Sequence, residues 1–208
     1  MMIGIGGLIG SGKNTAGQYL IDRHGFEAIS FAGPLKDITA ALFGWERSLL
    51  EGDTPESRLF RDTEDSWWSN KLKFRVTPRY ILQLIGTDVL RDHFNTDIWI
   101  HTAERIITRS PGNKVVTDMR FPNEIDMLQR NNGVTIMVRK NPLPEWFEDA
   151  VTDCQLKTGV MSAKWPDIHY SEWAWVGSTF DHIVDNDGTI EDLHQKIENI
   201  VSNYDLSR

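Results

Sequence analysis

Short apolar runs alternate with longer amphipathic stretches along this chain, and the alternation predicts strands and helices in turn. "MIGIGG" is an apolar strand that stops at glycines. Residues from about Lys13 to Arg23 read as a helix with Ala16, Tyr19 and Leu20 on one face. "FEAISF" (26–31) alternates as a second strand, and "GPLKDITAALFG" follows as a helix opened by Pro34 and closed by Gly44. "NKVVTDMR" is a strand ending in polar groups, "FPNEIDMLQRN" a helix opening at a proline, and "GVTIMVRK" a further strand. "HIVDN" is the last strand. The closing helix lies in "DGTIEDLHQKIENIVSNY", where Thr189 and Asp192 have capping-box spacing and Ile190, Leu193, Ile197 and Val201 share a face.

Two further helices precede the third strand. In "TPRYILQLIGTDVLRDHF", Thr77 caps, Pro78 takes the first helical position, and Ile81, Leu82, Ile85 and Val89 form a stripe. Another spans Asp97 to Thr108. Residues from about 45 to 77 are charged and irregular and read as a partly mobile surface insertion. Residues from about 141 to 179 are rich in Trp, Pro and acid. Strands alternating with helices call for an α/β fold, a parallel sheet with helices on both faces. No linker divides the chain, so one domain over 1–208 is expected.

The first strand runs into "GGLIGSGKNTAGQYL". Gly7, Gly12 and Lys13 fit G-x-x-x-x-G-K, the phosphate-binding loop of P-loop NTPases. Glycines let backbone N–H groups turn toward phosphate oxygens, the following helix points its positive end there, and Lys13 adds a charge. The next residue is Asn14 rather than Ser or Thr, with the hydroxyl displaced to Thr15. Asn14 has no hydroxyl for magnesium; its amide oxygen or a bridging water remains, and Thr15 can reach an α-phosphate. A dinucleotide fingerprint fails, because its third glycine falls on Ile9 or on Thr15.

"VVTDMRFPNE" puts Asp118, Arg120 and Glu124 at the carboxyl end of a strand, where open parallel sheets bind ligands. Asp118 is a candidate for orienting the acceptor or holding a magnesium-bound water. Arg120 is a candidate clamp for a phosphate. The bland alternative is an Asp–Arg surface pair beside a helix-capping acid.

Composition narrows this picture only at the edges. A formal net charge of −8 argues against a large nucleic-acid surface, yet leaves room for a small phosphorylated ligand. The apolar runs are too short to cross a bilayer, and the N-terminus lacks the basic flank of a signal peptide. The single cysteine, Cys154, cannot form an internal disulfide, so a reducing cytoplasm is expected. Trp67, Trp68, Trp165, Trp173 and Trp175 lie in segments not assignable to the core; they suit either a homodimer contact or an acceptor pocket.

Several separated stretches, taken in order, resemble the deoxynucleoside monophosphate kinases of tailed bacteriophages, a branch of the P-loop nucleotide kinases. They are "GSGKNT", "FAGPLKD", "LQLIGTD" with "DIWI", "TDMRFPNE", "HYSE" and "DNDGTIEDL". The resemblance implies phosphoryl transfer from ATP with Mg²⁺ to a deoxynucleoside monophosphate, in a host cytoplasm. It implies that Gly10, Ser11, Gly12, Lys13, Asn14 and Thr15 hold the ATP phosphates and that Asn186 and Gly188 lie near the adenine. It implies that Lys36, Arg79, Gln83, Trp99, Asp118, Arg120 and Glu124 meet the acceptor. Trp99 fits a core position between Ile98 and Ile100 equally well, Lys36 and Arg79 fit solvated charges, and "NDG" fits a tight turn. Residues 141–179 correspond to a lid, but carry no arginine, so Arg120, Arg139 or a lysine must supply the clamp. His169 and Glu172 in "HYSE" have metal-pair chemistry, though a hydrogen-bonded structural role is the favoured reading. Two other functions stay open: a P-loop kinase for another small acceptor (dephospho-coenzyme A or a sugar acid), and a nucleotide-binding regulator without transferase activity.

Overall fold

The computed structural model describes residues 1–204. Five strands form one sheet: β1 (Met2–Gly6), β2 (Glu27–Ile29), β3 (Lys114–Val116), β4 (Val134–Arg139) and β5 (His182–Asp185). The order is β2-β3-β1-β4-β5 and every pairing is parallel. The chain leaves β1 for the far position at β2, returns to β3, then crosses to β4 on the other side. That reversal at β1 makes a switch point, with the loops after β1 and β3 side by side at the carboxyl edge. This is the P-loop NTPase-type architecture expected.

The helices are α1 (Lys13–His24), α2 (Gly33–Phe43), α3 (Pro55–Asp62), α4 (Ser66–Leu72), α5 (Pro78–Gln83) and α6 (Ile98–Arg109), then α7 (Pro122–Arg130), α8 (Phe147–Leu156), α9 (Val160–Lys164), α10 (Tyr170–Trp173) and α11 (Ile190–Val201). They fall into two compact units. One holds residues 1–30 and the chain from Ala103 onward; the other is Phe31–Thr102, its boundary falling within α6.

The first unit carries the whole sheet. Ile3, Ile5, Val115, Val134, Ile136, Val138 and Val184 from the strands pack with Ala16 and Leu20 of α1 and with Leu193, Ile197 and Val201 of α11. The capping box at Thr189 and Asp192 is present, but Ile190 is exposed, because it sits at the first turn before the helix reaches the sheet. β2 is shorter than expected, and as an edge strand it leaves Glu27 and Ala28 outside. Trp175, in a segment that the sequence did not assign to the core, is buried. Helix α7 lies directly on β1: a methyl on Gly4 would stand 2.3 Å from Leu128 Cδ1 and 2.6 Å from Met119 Sδ. Gly4→Ala is therefore expected to destabilise the fold by about 1–3 kcal/mol, read as a lowered midpoint in denaturant with m unchanged.

The second unit corrects two expectations. The segment 45–77 is not irregular: a 3₁₀ turn (Arg47–Leu50), α3 and α4 occupy most of it. Its polar residues are what start these helices. Thr54 accepts from the Ser57 amide at 3.1 Å and Asp65 from the Trp68 amide at 3.0 Å, satisfying donors that a helix start leaves open. Leu50, Val76 and Trp45 are buried. Thr77 caps α5 with Pro78 at its start, as read from the sequence. Beyond Gln83, however, the chain continues as a π-helix, Leu84–Phe94. Its wider turn carries Gly86, Thr87 and Arg91 inward, leaves Ile85 half-buried and turns Val89 out to solvent.

Candidate active site

The loop after β1 is built for an anion. Gly7, Gly10 and Gly12 all have positive φ (141°, 78° and 107°), which lets successive amides turn inward. α1 begins with no side-chain cap hydrogen bond and no acid in its first turn, so the amides of Lys13, Asn14 and Thr15 have no capping side chain. The Ser11 Oγ is buried with no hydrogen-bond partner among the described residues. An anion-seeking helix end, left-handed glycines and an unsatisfied hydroxyl fit a phosphate chain. Asn14 is exposed and Thr15 half-buried.

Asn186, at the end of β5, pins this loop from below. Its Nδ2 donates to the Ser11 carbonyl at 2.9 Å, and a Cβ on Gly12 would stand 2.5 Å from the same nitrogen. Gly188 leaves room for the α11 capping box: a Cβ there would approach Asp192 Oδ2 to 2.4 Å. "NDG" thus serves as loop support and helix start, whether or not adenine lies nearby.

Lys13 donates to the Leu8 carbonyl at 2.7 Å. Its pKa is lowered to about 8, first by burial and then by the positive charge of Arg120, with Glu172 and Asp118 acting in the opposite sense. Arg120, Glu172 and Asp118 are therefore all near enough for their charges to act on Lys13. Asp118 accepts from the Ser30 hydroxyl at 2.6 Å, tying the ends of β2 and β3 together. Arg120 Nη1 donates to Glu172 Oε1 at 2.6 Å and to the Ser171 carbonyl at 3.4 Å. Among the described residues, all side-chain hydrogen bonds of Arg120 leave from that one nitrogen.

Glu124 acts as the helix-capping acid that the sequence offered as its alternative reading. Only 2% exposed, its Oε2 accepts from the amides of Arg120 (2.7 Å) and Phe121 (3.1 Å). It holds the backbone that carries Arg120. His169 has the structural role favoured for it: its Nδ1 accepts from the Ser171 amide at 3.2 Å and caps α10. Arg139, the other clamp candidate, is engaged by Asp185 through two hydrogen bonds (2.6 and 3.0 Å).

The remaining acceptor candidates all belong to the second unit. Lys36 on α2 pairs with Glu51 at 2.6 Å. Arg79 on α5 forms an ion pair with Asp62. Gln83 is half-buried at the end of α5. Trp99 is 6% exposed, with its indole N–H on the Gly86 carbonyl at 2.9 Å. Of its two readings, this geometry suits the core position and leaves little ring face for a base. The sequence missed Ser30 and underrated Glu172. Ser30 was within reach, since it follows a strand at the binding edge; Glu172 is 52 residues from Arg120 and only the fold joins them.

Residues 48–197, well over half of the chain, match the family described as deoxynucleotide monophosphate kinase. The chain belongs to that family. A protein of Acanthamoeba polyphaga mimivirus, provisionally named deoxynucleotide monophosphate kinase, is 31% identical over 98% of this chain and 97% of its own length. The deoxynucleoside-5'-monophosphate kinase of Escherichia phage T5 is 31% identical over 62% of this chain and 46% of that protein. A crystal structure of TT1252 from Thermus thermophilus is 17% identical, with a TM-score of 0.48 over 99% of this chain and 98% of that one. Among the described residues no group of three or more His, Cys, Asp or Glu is gathered as a metal cage.

Proposed function

We infer that this member of the deoxynucleotide monophosphate kinase family transfers the γ-phosphoryl group of ATP to a deoxynucleoside monophosphate, releasing ADP and the diphosphate. The observation that supports the reading is a glycine loop with an unsatisfied buried hydroxyl, at whose Lys13 the charge of Arg120 is felt. One cation and a ring of amides suit the donor phosphates; a second cation beside them suits the group in transit or the acceptor phosphate.

The acceptor is already an anion, so the site needs no strong base. Catalysis rests on holding two phosphates in line and on stabilising the charge that spreads over the moving group. The Gly10–Thr15 amides and Lys13 bind the β- and γ-phosphates. Lys13 must exchange the Leu8 carbonyl for a phosphate oxygen. Arg120 offers Nε and Nη2 to the transferring group. Mg²⁺ arriving with ATP would supply charge neutralisation, and Asp118 is proposed to hold it through water. Residues 141–179 are proposed as the lid that excludes water. Lys36, Arg79 and Gln83 enter the proposal as residues whose substitution raises KM for the monophosphate. Relatives from a virus and a phage support a viral enzyme acting in host cytoplasm, and no helix among the described residues is long and apolar enough to cross a membrane.

The test is a coupled assay with ATP and, in turn, dGMP, dTMP, dCMP and dAMP. ADP release that depends on at least one of them is expected. Release no greater than the no-acceptor control for all four would falsify the assignment.

A further inference from the structure

Arg120 has to meet a phosphate, yet it also has to sit beside Lys13 before any phosphate arrives. Two cations facing one space repel each other, and part of the lowering of the Lys13 pKa comes from that repulsion. A flexible arginine side chain would swing into solvent to relieve it, losing the geometry that catalysis needs.

The structure supplies a restraint. Glu172 grips Nη1 of Arg120 at 2.6 Å, and the Ser171 carbonyl takes the same nitrogen at 3.4 Å. A guanidinium has five N–H groups in a planar fork, two of them on Nη1. Holding Nη1 alone leaves the Nε and Nη2 edge clear, and that edge is the one suited to a bidentate phosphate contact. The side chain is 35% exposed, so the edge is accessible.

Glu172 is itself firmly placed. α10 is started by His169, whose Nδ1 accepts from the Ser171 amide at 3.2 Å and also contacts the Ser171 hydroxyl at 2.8 Å. The buried Trp175 donates its indole N–H to the Glu172 carbonyl at 3.1 Å. Tyr170 meets Phe121, the residue after Arg120, edge to face at 5.9 Å between ring centres. From the other side, Glu124 holds the Arg120 amide at 2.7 Å. Backbone and guanidinium are thus restrained by separate carboxylates, one on α7 and one on α10.

We propose that Glu172 is a positioning residue for the phosphoryl transfer, holding the Arg120 guanidinium by one corner so that its free edge faces the phosphates beside Lys13. This rests on the kinase reading above. It gives the arginine-free segment 141–179 a definite contribution: it supplies the carboxylate that aims an arginine belonging to β3's loop, rather than an arginine of its own.

A double-mutant cycle tests the idea on the full chain, with the best acceptor from the assay above. Glu172→Ala is expected to lower kcat about 10- to 100-fold, the cost of a misplaced catalytic group, with KM for ATP changed less than about threefold. Glu172→Asp, which keeps the charge on a shorter arm, recovers part of the loss. In an Arg120→Ala background, adding Glu172→Ala has no further effect on kcat, because the residue acts through the arginine. Additive losses, or full kcat in Glu172→Ala, would overturn the proposal. If Glu172→Ala fails to fold, Glu172→Gln carries the same cycle, since its amide oxygen keeps the shape and drops the charge. Failure of the kinase reading looks different: the unmodified chain then shows no acceptor-dependent ADP release at all.

Discussion

Lys13→Met is expected to lower kcat/KM for ATP by about 10³-fold, the scale seen when a main charge-stabilising group is removed from a developing transition state. Methionine matches the length of the lysine stem, so the loop and α1 keep their packing and the loss reports the charge. The unmodified enzyme should show the same dependence as a pH effect. The Lys13 pKa is lowered to about 8 by burial and by Arg120. Below that pH the ammonium is present and attracts the phosphates. As pH rises through about 8 the charge is lost, and kcat/KM for ATP, which reports the free enzyme, should fall. In Arg120→Ala the falling limb should move to higher pH, because a neighbouring positive charge has been removed. Steady-state profiles from pH 6 to about 10 would check both shifts. A profile flat through this range would show that the lysine charge is not what the loop contributes.

Gly12→Ala is the second large loss. A Cβ there meets Asn186 Nδ2 at 2.5 Å and Leu193 Cδ2 at 3.3 Å, at a φ of 107° that L-residues rarely adopt. The side chain of Asn186 can swing away, but only by releasing the Ser11 carbonyl that it holds at 2.9 Å. Either response tilts the amides that receive the phosphates. ATP affinity is expected to fall about 100-fold, measured by titration calorimetry, while the backbone strain costs about 1–3 kcal/mol of stability. Gly10→Ala separates the two effects. Gly10 also has positive φ (78°), but a Cβ there has nothing within 4 Å. It should show the strain and a much smaller loss of affinity. Equal losses at both positions would mean that Asn186 plays no part in shaping the loop.

The loop proposed to hold the phosphates was legible because it is local: glycines, lysine and helix start are contiguous, and so is their geometry. Asp118 and Arg120 were legible through topology, since a parallel sheet places the ends of its strands on one edge. Glu124 was placed at this edge with two readings open. A carboxylate four residues after an arginine reads equally as a ligand contact or as a clasp on two amides, and only its burial decides for the clasp. Val89 went astray because the stripe was counted at an α-helical period, while Leu84–Phe94 winds as a π-helix. The segment 45–77 went astray because its acids and hydroxyls look like a solvated loop; two of them, Thr54 and Asp65, instead start helices.

By itself, the order of apolar and polar positions determined five parallel strands, six of the helices around them and the edge at which a phosphate would sit. These follow from periodicities and turn chemistry that act over a few residues. Tertiary structure alone decided which polar groups meet: Asn186 on the Ser11 carbonyl, 175 residues apart, and Glu172 on Arg120, 52 apart. A hydrogen bond at such separation depends on how the sheet orders its strands and on how α10 packs, and no local pattern encodes that distance. It also decided that Lys13 is held near neutrality's edge, since burial and a neighbouring guanidinium set its pKa, and both belong to the folded chain.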